Sequence, residues 1–224
     1  MNKLSKRLEV MANFIDVNDK SVIDVGCDHG FLSIYLANKY KELKIIASDI
    51  NENALRSVIK NVSLYELEDR IDIRLGSGIS VIDDSDNIDT IVIGGMGTAT
   101  ICDIFRDSIY KIKNVNKIII QSNTDLFVLR KFMTTIGYYI DDEDLVLDRE
   151  KIYTVIKFVK GYKKYSYKDL YLGPVLIKKK SDLFICKCIN DMNKCRDILS
   201  SIKRGHYLYR LKLKRNILIL KSVI

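Results

Sequence analysis

The 224-residue chain contains a single proline, and its five cysteines are scattered without a CxxC pair. We therefore expect few linkers and reduced thiols, as in a cytosol, rather than a disulfide framework or a structural zinc site. No run approaches 18 consecutive apolar residues and the N-terminal segment lacks an apolar core, so neither a membrane span nor a signal peptide is expected. With 47% hydrophobic and 29% charged residues, the composition is typical of a cytoplasmic globular protein with one or two domains.

Charge divides the chain into two parts. Residues 1–160 carry 21 Lys or Arg and 25 Asp or Glu, whereas residues 161–224 carry 16 Lys or Arg and four Asp, so the net charges are −4 and +12. A basic segment after a mildly acidic body favours a polyanionic partner such as nucleic acid over a merely solvated lysine-rich face. We predict one domain over residues 1–161 and a second over residues 162–224.

Short β-branched runs alternate with helix-length segments through the first domain. Strands are predicted at 21–26, 44–50, 71–75, 89–93, 117–121, 138–146 and 151–159. Apolar residues at helical spacing predict helices at 30–40, 52–65, 98–112 and 125–136. This order predicts an α/β fold with a mostly parallel seven-stranded sheet, whose last two strands pair antiparallel at one edge.

The second domain shows a different periodicity. Apolar residues recur at heptad spacing in two runs, Ile185, Cys188, Met192, Cys195, Leu199 and Ile202, then Leu213, Ile217, Leu220 and Ile224. With a turn at Gly205, the two runs predict a coiled-coil-like helical hairpin, although the seam is also compatible with a dimer or protein-binding surface. The basic residues between Lys178 and Arg215 suit phosphate contacts with RNA, and we expect Tyr207 and Tyr209 to pack in the hairpin core rather than stack on a base.

The loop after the first strand, DVGCDHG at 24–30, is the first candidate site. Ligands of open parallel sheets bind at the carboxyl ends of the strands, and Gly26 permits a tight turn there. Asp28 stands where a dinucleotide-binding loop has its second glycine, and a carboxylate repels a pyrophosphate. The loop therefore favours a cationic ligand without phosphates, such as S-adenosylmethionine.

Two further strand ends suit an adenosyl ligand. Asp49 lies at the end of the second strand, 23 residues beyond Gly26, close to the spacing of a ribose-binding acid. The GSG turn at 76–78 ends the third strand, where it can lie beside an adenine ring. Each feature is weak alone, because an aspartate at a strand end is often only a turn former. Together, at successive strand ends, they favour an adenosyl ligand.

The fourth and fifth strands are followed by GGMG at 94–97 and QSN at 121–123. The glycines leave a bare backbone that a flat substrate can approach, with Met96 as a soft apolar face; a plain turn with positive φ angles is the alternative. The amides of Gln121 and Asn123 can read the edge of a base, or Asn123 or Thr124 can simply cap the next helix.

These motifs, together with the Arg7-Leu8 pair near the start, resemble those of the bacterial tRNA (adenine-22-N1)-methyltransferases. The likeness extends over the whole chain. It implies a class I, Rossmann-like methyltransferase domain followed by a helical hairpin, with S-adenosyl-L-methionine as the cofactor and tRNA as the substrate. It also implies that the methyl group is transferred to N1 of adenine 22 in the D-arm region.

The resemblance implies roles for particular residues, with no metal among them. Cofactor contacts are implied for Asp24, Gly26, Asp28, His29, Asp49, Gly76, Ser77, Gly78, Gly94 and Met96. A catalytic or pocket-lining role is implied for Arg7, Asp28, Met96, Gly97 and Asn123. The sequence departs from the family pattern at Ser77, Thr98 and Ser122, where the family usually has aspartate, glycine and proline.

The chemistry of the implied target limits what the site must do. N1 of adenine carries its own lone pair, so it can take a methyl group without first losing a proton, and we expect catalysis to depend mainly on in-line positioning. The base must also be flipped out of its stack. Two rivals remain open at this point: a methyltransferase acting on another RNA site, a small molecule or a protein, and an RNA-binding module without catalysis. The protein is expected to be a monomer.

Overall fold

The computed structural model describes residues 4–202 and 205–224. Two compact units, Met1–Lys164 and Tyr165–Ile224, make up the chain. No helix among the described residues is both long enough and apolar enough to span a bilayer.

One sheet forms the centre of the first unit. Its strands are β1 (Ser21–Val25), β2 (Lys44–Asp49), β3 (Ile71–Leu75), β4 (Thr90–Met96), β5 (Lys117–Ser122), β6 (Tyr138–Asp148) and β7 (Lys151–Lys160). They lie in the order β3-β2-β1-β4-β5-β7-β6. The first five strands are parallel, and β7 pairs antiparallel with both β5 and β6. This arrangement confirms the predicted mostly parallel seven-stranded sheet.

Helices connect and flank these strands. They are α1 (Lys6–Asn13), α2 (Phe31–Lys39), α3 (Glu52–Leu64), α4 (Thr98–Asp107) and α5 (Leu126–Thr135), with 3₁₀ turns at Asp84–Asp86 and Ile109–Ile112. Asn51 caps α3, as its side chain accepts a hydrogen bond from the backbone N–H of Asn53. The helix predicted at 98–112 ends at Asp107, and the 3₁₀ turn covers the remainder.

The register brings the carboxyl ends of the central strands together. Val25 at the end of β1 lies opposite Ser48 of β2 and Ile93 of β4. All five residues of β1 are buried, because this strand lies between two neighbours in the middle of the sheet. The strand order reverses at β1, so the loops after β1 and β4 border the crevice where open α/β sheets bind ligands.

The end of β4 differs from the prediction. The strand continues through the glycines to Met96 instead of ending at 93, and its register against β5 shifts between Gly94 and Met96. Gly95, within this irregularity, has φ of 80°, a left-handed conformation that favours glycine. The GGMG segment is therefore a bulged strand end rather than a plain turn.

All of the regular secondary structure described in the second unit, residues 165–202 and 205–224, is helical. Its helices are α6 (Tyr167–Leu172), α7 (Pro174–Lys179), α8 (Asp182–Ser201) and α9 (Tyr207–Lys221). Gly173 separates α6 from α7 with φ of 97°, and Pro174 occupies the first turn of α7, where its missing N–H is not needed. Near the start of α9, the Arg210 guanidinium donates hydrogen bonds to the carbonyls of Leu199 and Ile202 at the end of α8.

The predicted seam of the hairpin is partly wrong. On α8 the structure buries Cys188 and Cys195 as predicted, together with Phe184. On and after α9 the buried positions are Leu213, Asn216, Leu220 and Val223, whereas Ile224 is exposed. A search for apolar residues misses Asn216, which is buried because its Oδ1 accepts a hydrogen bond from the Tyr167 hydroxyl.

The expectation that Tyr207 and Tyr209 pack in the hairpin core is also wrong. Both are exposed, Tyr207 by 69%, and they lie in the first turn of α9 together with the exposed Leu208. The buried side of α9 begins only at Leu213, so the first turn of α9 places its aromatic rings in solvent.

Candidate active site

A cavity of about 490 Å³ lies at the carboxyl ends of the central strands. Its lining comes from the loops after β1, β2, β3 and β4, from α1 and from α4. It brings together most of the predicted site residues, namely Arg7, Asp24, Gly26, Asp28, His29, Asp49, Gly76, Ser77, Gly78, Gly94 and Met96. Its volume lies in the range typical of small-molecule sites.

Asp24 is the buried acid of this cavity. Its side chain lies at the end of β1, 5% exposed, and one carboxylate oxygen accepts a hydrogen bond of 2.8 Å from the Ser33 hydroxyl on α2. Burial raises the pKa of Asp24 to about 6, since a charged carboxylate loses its hydration there. A positively charged ligand group in the cavity would offset that loss.

The loop after β1 adopts the tight turn that its glycine permits. Gly26 has φ of 70°, and a Cβ at this position would lie 2.2 Å from Cε of Met96. Asp28, although not a glycine, also has a left-handed φ of 51°. Short polar side chains tolerate this conformation better than other residues. His29 is exposed, with Nε2 3.7 Å from Oδ1 of Asp28.

Asp49 connects the first two loops. Its Oδ2 accepts a hydrogen bond of 3.2 Å from the N–H of Asp28, and its Oδ1 accepts one of 2.9 Å from the N–H of Asn51. Each carboxylate oxygen retains acceptor capacity that can serve a ligand hydroxyl. Asp49 is half-buried, at the point where β2 ends beside the cavity.

The GSG turn forms another wall. The N–H of Gly76 donates to the carbonyl of Asp49, and a Cβ on Gly78 would lie 2.7 Å from the side chain of Ile104 on α4. The turn therefore packs closely against α4, and a side chain at position 78 would clash with Ile104. Ser77 is exposed at the rim of this turn.

Arg7 reaches the cavity from α1. Its Nη1 donates a hydrogen bond of 2.7 Å to Oε1 of Gln121, and its guanidinium lies 5.4 Å from the centre of the Tyr153 ring. A Cβ on Gly95 would lie 3.4 Å from Nη1, so the guanidinium lies against the bulge of β4. Arg7 thus places a positive charge at the end of the cavity formed by β4.

Gly97 and Asn123 are not among the residues that line the cavity. Gly97 is the residue before α4, and a Cβ there would lie 3.6 Å from Oγ1 of Thr124. Asn123 is exposed, and its Nδ2 donates a hydrogen bond of 2.7 Å to the carbonyl of Gly95. Asp125, and not Asn123 or Thr124, caps the next helix, α5.

Sequence reasoning missed several lining residues, among them Met11, Phe31, Thr100 and Ile104. Met11 lies under Gly94, where a Cβ would come within 2.8 Å of its Cε. Thr100 and Ile104 share one face of α4 because they are four residues apart. The apolar residues among them fit the ordinary packing periodicity of their helices. Nothing in the sequence therefore marks these residues as lining a cavity.

The cavity suits a cationic adenosyl ligand. Three carboxyl groups, those of Asp24, Asp28 and Asp49, line it, and the glycines at 26, 76 and 78 leave no room for side chains. Buried Asp24 can pair with an ammonium group, and Asp49 can accept from ribose hydroxyls. The residues present therefore fit S-adenosyl-L-methionine better than a dinucleotide, whose pyrophosphate these carboxylates would repel.

Comparison with known proteins agrees with this geometry. The family model described as tRNA (adenine(22)-N(1))-methyltransferase, TrmK, matches residues 22–222. The chain is 29% identical over 209 residues to the tRNA (adenine(22)-N(1))-methyltransferase of Bacillus subtilis, covering 91% of this chain and 87% of that protein.

Two similar solved structures contain a ligand. A Streptococcus pneumoniae protein crystallised with S-adenosyl-L-methionine is 30% identical, with a TM-score of 0.90 over 99% of both chains. The M. capricolum TrmK structure, in complex with the cofactor product S-adenosyl-homocysteine, is 28% identical, with a TM-score of 0.87 over 98% of this chain and 96% of that one. Because the family model covers nearly the whole chain, this protein belongs to the tRNA (adenine(22)-N(1))-methyltransferase family.

Proposed function

We propose that this chain transfers a methyl group from S-adenosyl-L-methionine to N1 of adenine 22 in tRNA. The observation that carries the proposal is the cavity at the carboxyl ends of β1 to β4, with buried Asp24 at its base. Membership of the family supplies the substrate and the position of the target atom.

The cofactor is assigned to the side of the cavity formed by β1, β2 and β3. There Asp24 neutralises the ammonium group, Asp49 accepts from the ribose, and the GSG turn at 76–78 borders the adenine. Gly26 allows the close approach, while the N–H of Asp28 is held by Asp49 and keeps the loop in its left-handed turn. When bound, S-adenosyl-L-methionine supplies a methyl group on a positively charged sulfur.

The target adenine is assigned to the side formed by β4 and β5. Gly94 and Met96 line the cavity there, Met96 offers an apolar contact, and Asn123 lies next to Gly95 through its hydrogen bond. Gly97 follows Met96 directly, at the start of α4. Arg7 lies against the same bulge, where its charge can hold a phosphate of the flipped nucleotide. N1 needs no general base, so these residues act by orienting the base.

We assign residues 162–224 as the tRNA-binding domain. Its basic residues on α9 are of two kinds. Arg210 is hydrogen-bonded to α8 and Arg215 lies 3.6 Å over the Tyr167 ring, so both serve the packing of the hairpin. Lys212 and Lys214 are exposed and have no acidic group within 4 Å in the part of the chain that the structure describes. We assign phosphate contacts chiefly to the second kind.

The exposed start of α9 gives the hairpin a second possible contact with RNA. Tyr207 and Tyr209 present aromatic rings to solvent on a helix that carries four further basic residues between 210 and 215. Exposed rings among cations are typical of surfaces on which unpaired bases stack.

Mass spectrometry of a tRNA transcript after incubation with the protein and S-adenosyl-L-methionine tests the proposal. We expect one methyl group, located by fragment mapping at position 22 and by nucleoside analysis at N1. A transcript with guanine at position 22 is the matched control and should gain no methyl group. Methylation at another nucleotide, or none with a folded protein, would overturn the proposed function.

A further inference from the structure

Gln121 is fully buried at the end of β5 and lies at the centre of a hydrogen-bond network that joins three elements. Its Oε1 accepts a bond of 2.7 Å from Arg7 of α1 and one of 3.0 Å from the backbone N–H of Gly95. Its Nε2 donates a bond of 3.0 Å to Oδ1 of Asn123. The side chain therefore contacts both the arginine and the bulged strand that border the methyl-transfer end of the cavity.

The network closes into a ring. Asn123 uses its Nδ2 to donate a bond of 2.7 Å to the carbonyl of Gly95, the residue whose N–H donates to Gln121. Two side-chain amides thus hold the Gly95 residue by its N–H and its carbonyl. Gly95 has φ of 80° and lies at the shifted register of β4, so this backbone is the least regular part of the strand.

The chemistry of the partners determines the orientation of both amides. A backbone N–H and a guanidinium are donors only, so the atom of Gln121 facing them must be its oxygen. Its nitrogen then faces Asn123 and requires an acceptor, which places Oδ1 there. The carbonyl of Gly95 is an acceptor only, which places Nδ2 of Asn123 opposite it. Neither amide can rotate by 180° without bringing like groups together.

We propose that Gln121 is a positioning residue of the methyl-transfer site, because its buried amide determines which atoms of Asn123 and Gly95 face the substrate base. Oδ1 of Asn123 and the carbonyl of Gly95 each keep one acceptor lone pair, and both residues are exposed. Gly95 lines the cavity, and Asn123 lies beside Gly95 through its hydrogen bond. The inference rests on the proposed function and adds the residue that sets the preference for adenine.

Adenine carries a 6-amino group next to N1. An acceptor that faces this amino group holds the base by one hydrogen bond and leaves the lone pair of N1 free to react. Guanine has a carbonyl oxygen at the same place, which two acceptors repel. A site built to bond an amino group also discriminates against an analogue that lacks it.

Gln121→Glu tests the proposal, because glutamate keeps the shape and both acceptor bonds but cannot donate to Asn123. Methylation is measured on two transcripts, with adenosine or with purine riboside at position 22; purine riboside keeps N1 and lacks the amino group. We expect the wild type to prefer adenosine by at least about tenfold in kcat/KM. In Gln121→Glu the preference should fall below about threefold, mainly through a lower kcat on adenosine.

Donor affinity, measured by calorimetry, should change by less than about threefold in this variant. Asn114→Asp adds the same charge at an exposed turn before β5 and should leave both substrates unaffected. If Gln121→Glu does not fold, Asn123→Ala provides the same comparison, since its side chain is exposed. If the wild type methylates adenine 22 and the variants keep its preference for adenosine, the positioning role of Gln121 is overturned. The proposed function would remain intact.

Thermal unfolding gives a readout that does not depend on activity. If Gln121 and Asn123 belong to one hydrogen-bonded ring, their effects on stability should not add. The melting temperature of the double variant, Gln121→Glu with Asn123→Ala, should then be scarcely lower than that of the less stable single variant. Simple addition of the two losses would contradict the ring, even if the wild type methylated no tRNA at all. If the proposed function is wrong but the ring exists, the wild type will not methylate tRNA, and the losses of melting temperature at Gln121 and Asn123 will still fail to add.

Discussion

Charged groups in the two units of the chain have different surroundings. In the first unit, Asp24 and Asp49 each accept hydrogen bonds from neighbouring groups, and Arg7 is held by Gln121 and Tyr153. In the second unit, Lys212 and Lys214 project into solvent from α9. The first arrangement fixes positions to within a hydrogen-bond length, whereas the second leaves flexible cations on a surface.

Under the proposed function, this difference in surroundings corresponds to two tasks. Methyl transfer needs atoms aligned in a cavity that excludes competing arrangements, and we propose that the hydrogen-bonded polar groups of the sheet edge supply that alignment. Holding a polyanion needs positive charge in number, and that contribution tolerates loose side chains. We therefore expect changes in the first unit to affect the donor and the reaction, and changes in the second to affect RNA affinity and its salt dependence.

Removal of the second unit should have the largest effect. A chain of residues 1–164 retains the whole sheet and the buried cluster around it, so it should fold and bind S-adenosyl-L-methionine with an affinity within about threefold of the full chain. Its affinity for tRNA should fall by at least about 100-fold, because most phosphate contacts are lost. Circular dichroism and calorimetry check folding and donor binding, and filter binding measures tRNA. Unchanged tRNA affinity would contradict the division of tasks.

Asp24→Asn should weaken donor binding by at least about tenfold, since the amide cannot neutralise an ammonium group. The same change should raise the free energy of unfolding of the ligand-free protein by about 1–3 kcal/mol, because it removes a buried charge while Ser33 keeps its acceptor. Calorimetry and chemical unfolding measure the two effects.

A control for Asp24→Asn is Asp69→Asn, an exposed acid outside the cavity, which should change neither quantity. If Asp24→Asn raises the free energy of unfolding but leaves donor affinity unchanged, Asp24 does not bind the ammonium group. Loss of both stability and affinity would instead indicate a structural role for the carboxylate.

A smaller effect is expected from pH. The pKa of Asp24 in the folded protein, about 6, lies above the ordinary value of 3.8, so the carboxyl group becomes protonated when the pH falls through 6. Donor affinity should therefore be constant above pH 7 and about fourfold weaker at pH 5.5. The ligand-free protein should lose stability as the pH rises from about 4 to 6 and be unaffected by this group above that. In Asp24→Asn both dependences should disappear, which titrations at several pH values can check.

The smallest effects should come from single lysines of the hairpin. Lys212→Gln and Lys214→Gln should each weaken tRNA binding about threefold and reduce the slope of log affinity against log salt by about one. Lys41→Gln, an exposed lysine of the first unit, is the matched control. A uniform response to all three variants would mean that net charge matters rather than the hairpin surface.

The central part of the fold and much of the cavity were predictable because parallel strands bring sequence-distant loops to one edge. Asp24 and Gly26 lie at the end of β1 and Asp49 at the end of the neighbouring β2, so their meeting in one cavity depends only on strand order and direction. The end of β4 was less predictable, since a bulge at Gly95 depends on pairing with β5 rather than on local preference.

Side-chain networks were not predictable in the same way. Gln121 and Asn123 suggested base recognition or capping, but their bonds to Arg7 and Gly95 join residues more than 20 positions apart. The exposed rings of Tyr207 and Tyr209 were predicted to be buried, because aromatic residues usually are. Burial depends on which face of α9 meets its neighbour, and Asn216 on that face breaks the apolar pattern that periodicity detects.

A crystal structure of the full chain with S-adenosyl-L-homocysteine tests most directly the claim that the carboxyl edge of the sheet holds the methyl donor. We expect the ligand in the cavity with its amino group beside Asp24, its ribose hydroxyls within hydrogen-bond distance of Asp49 and its adenine against the turn at 76–78. A cavity that stays empty at saturating ligand, or a ligand bound away from Asp24 and Asp49, would contradict it.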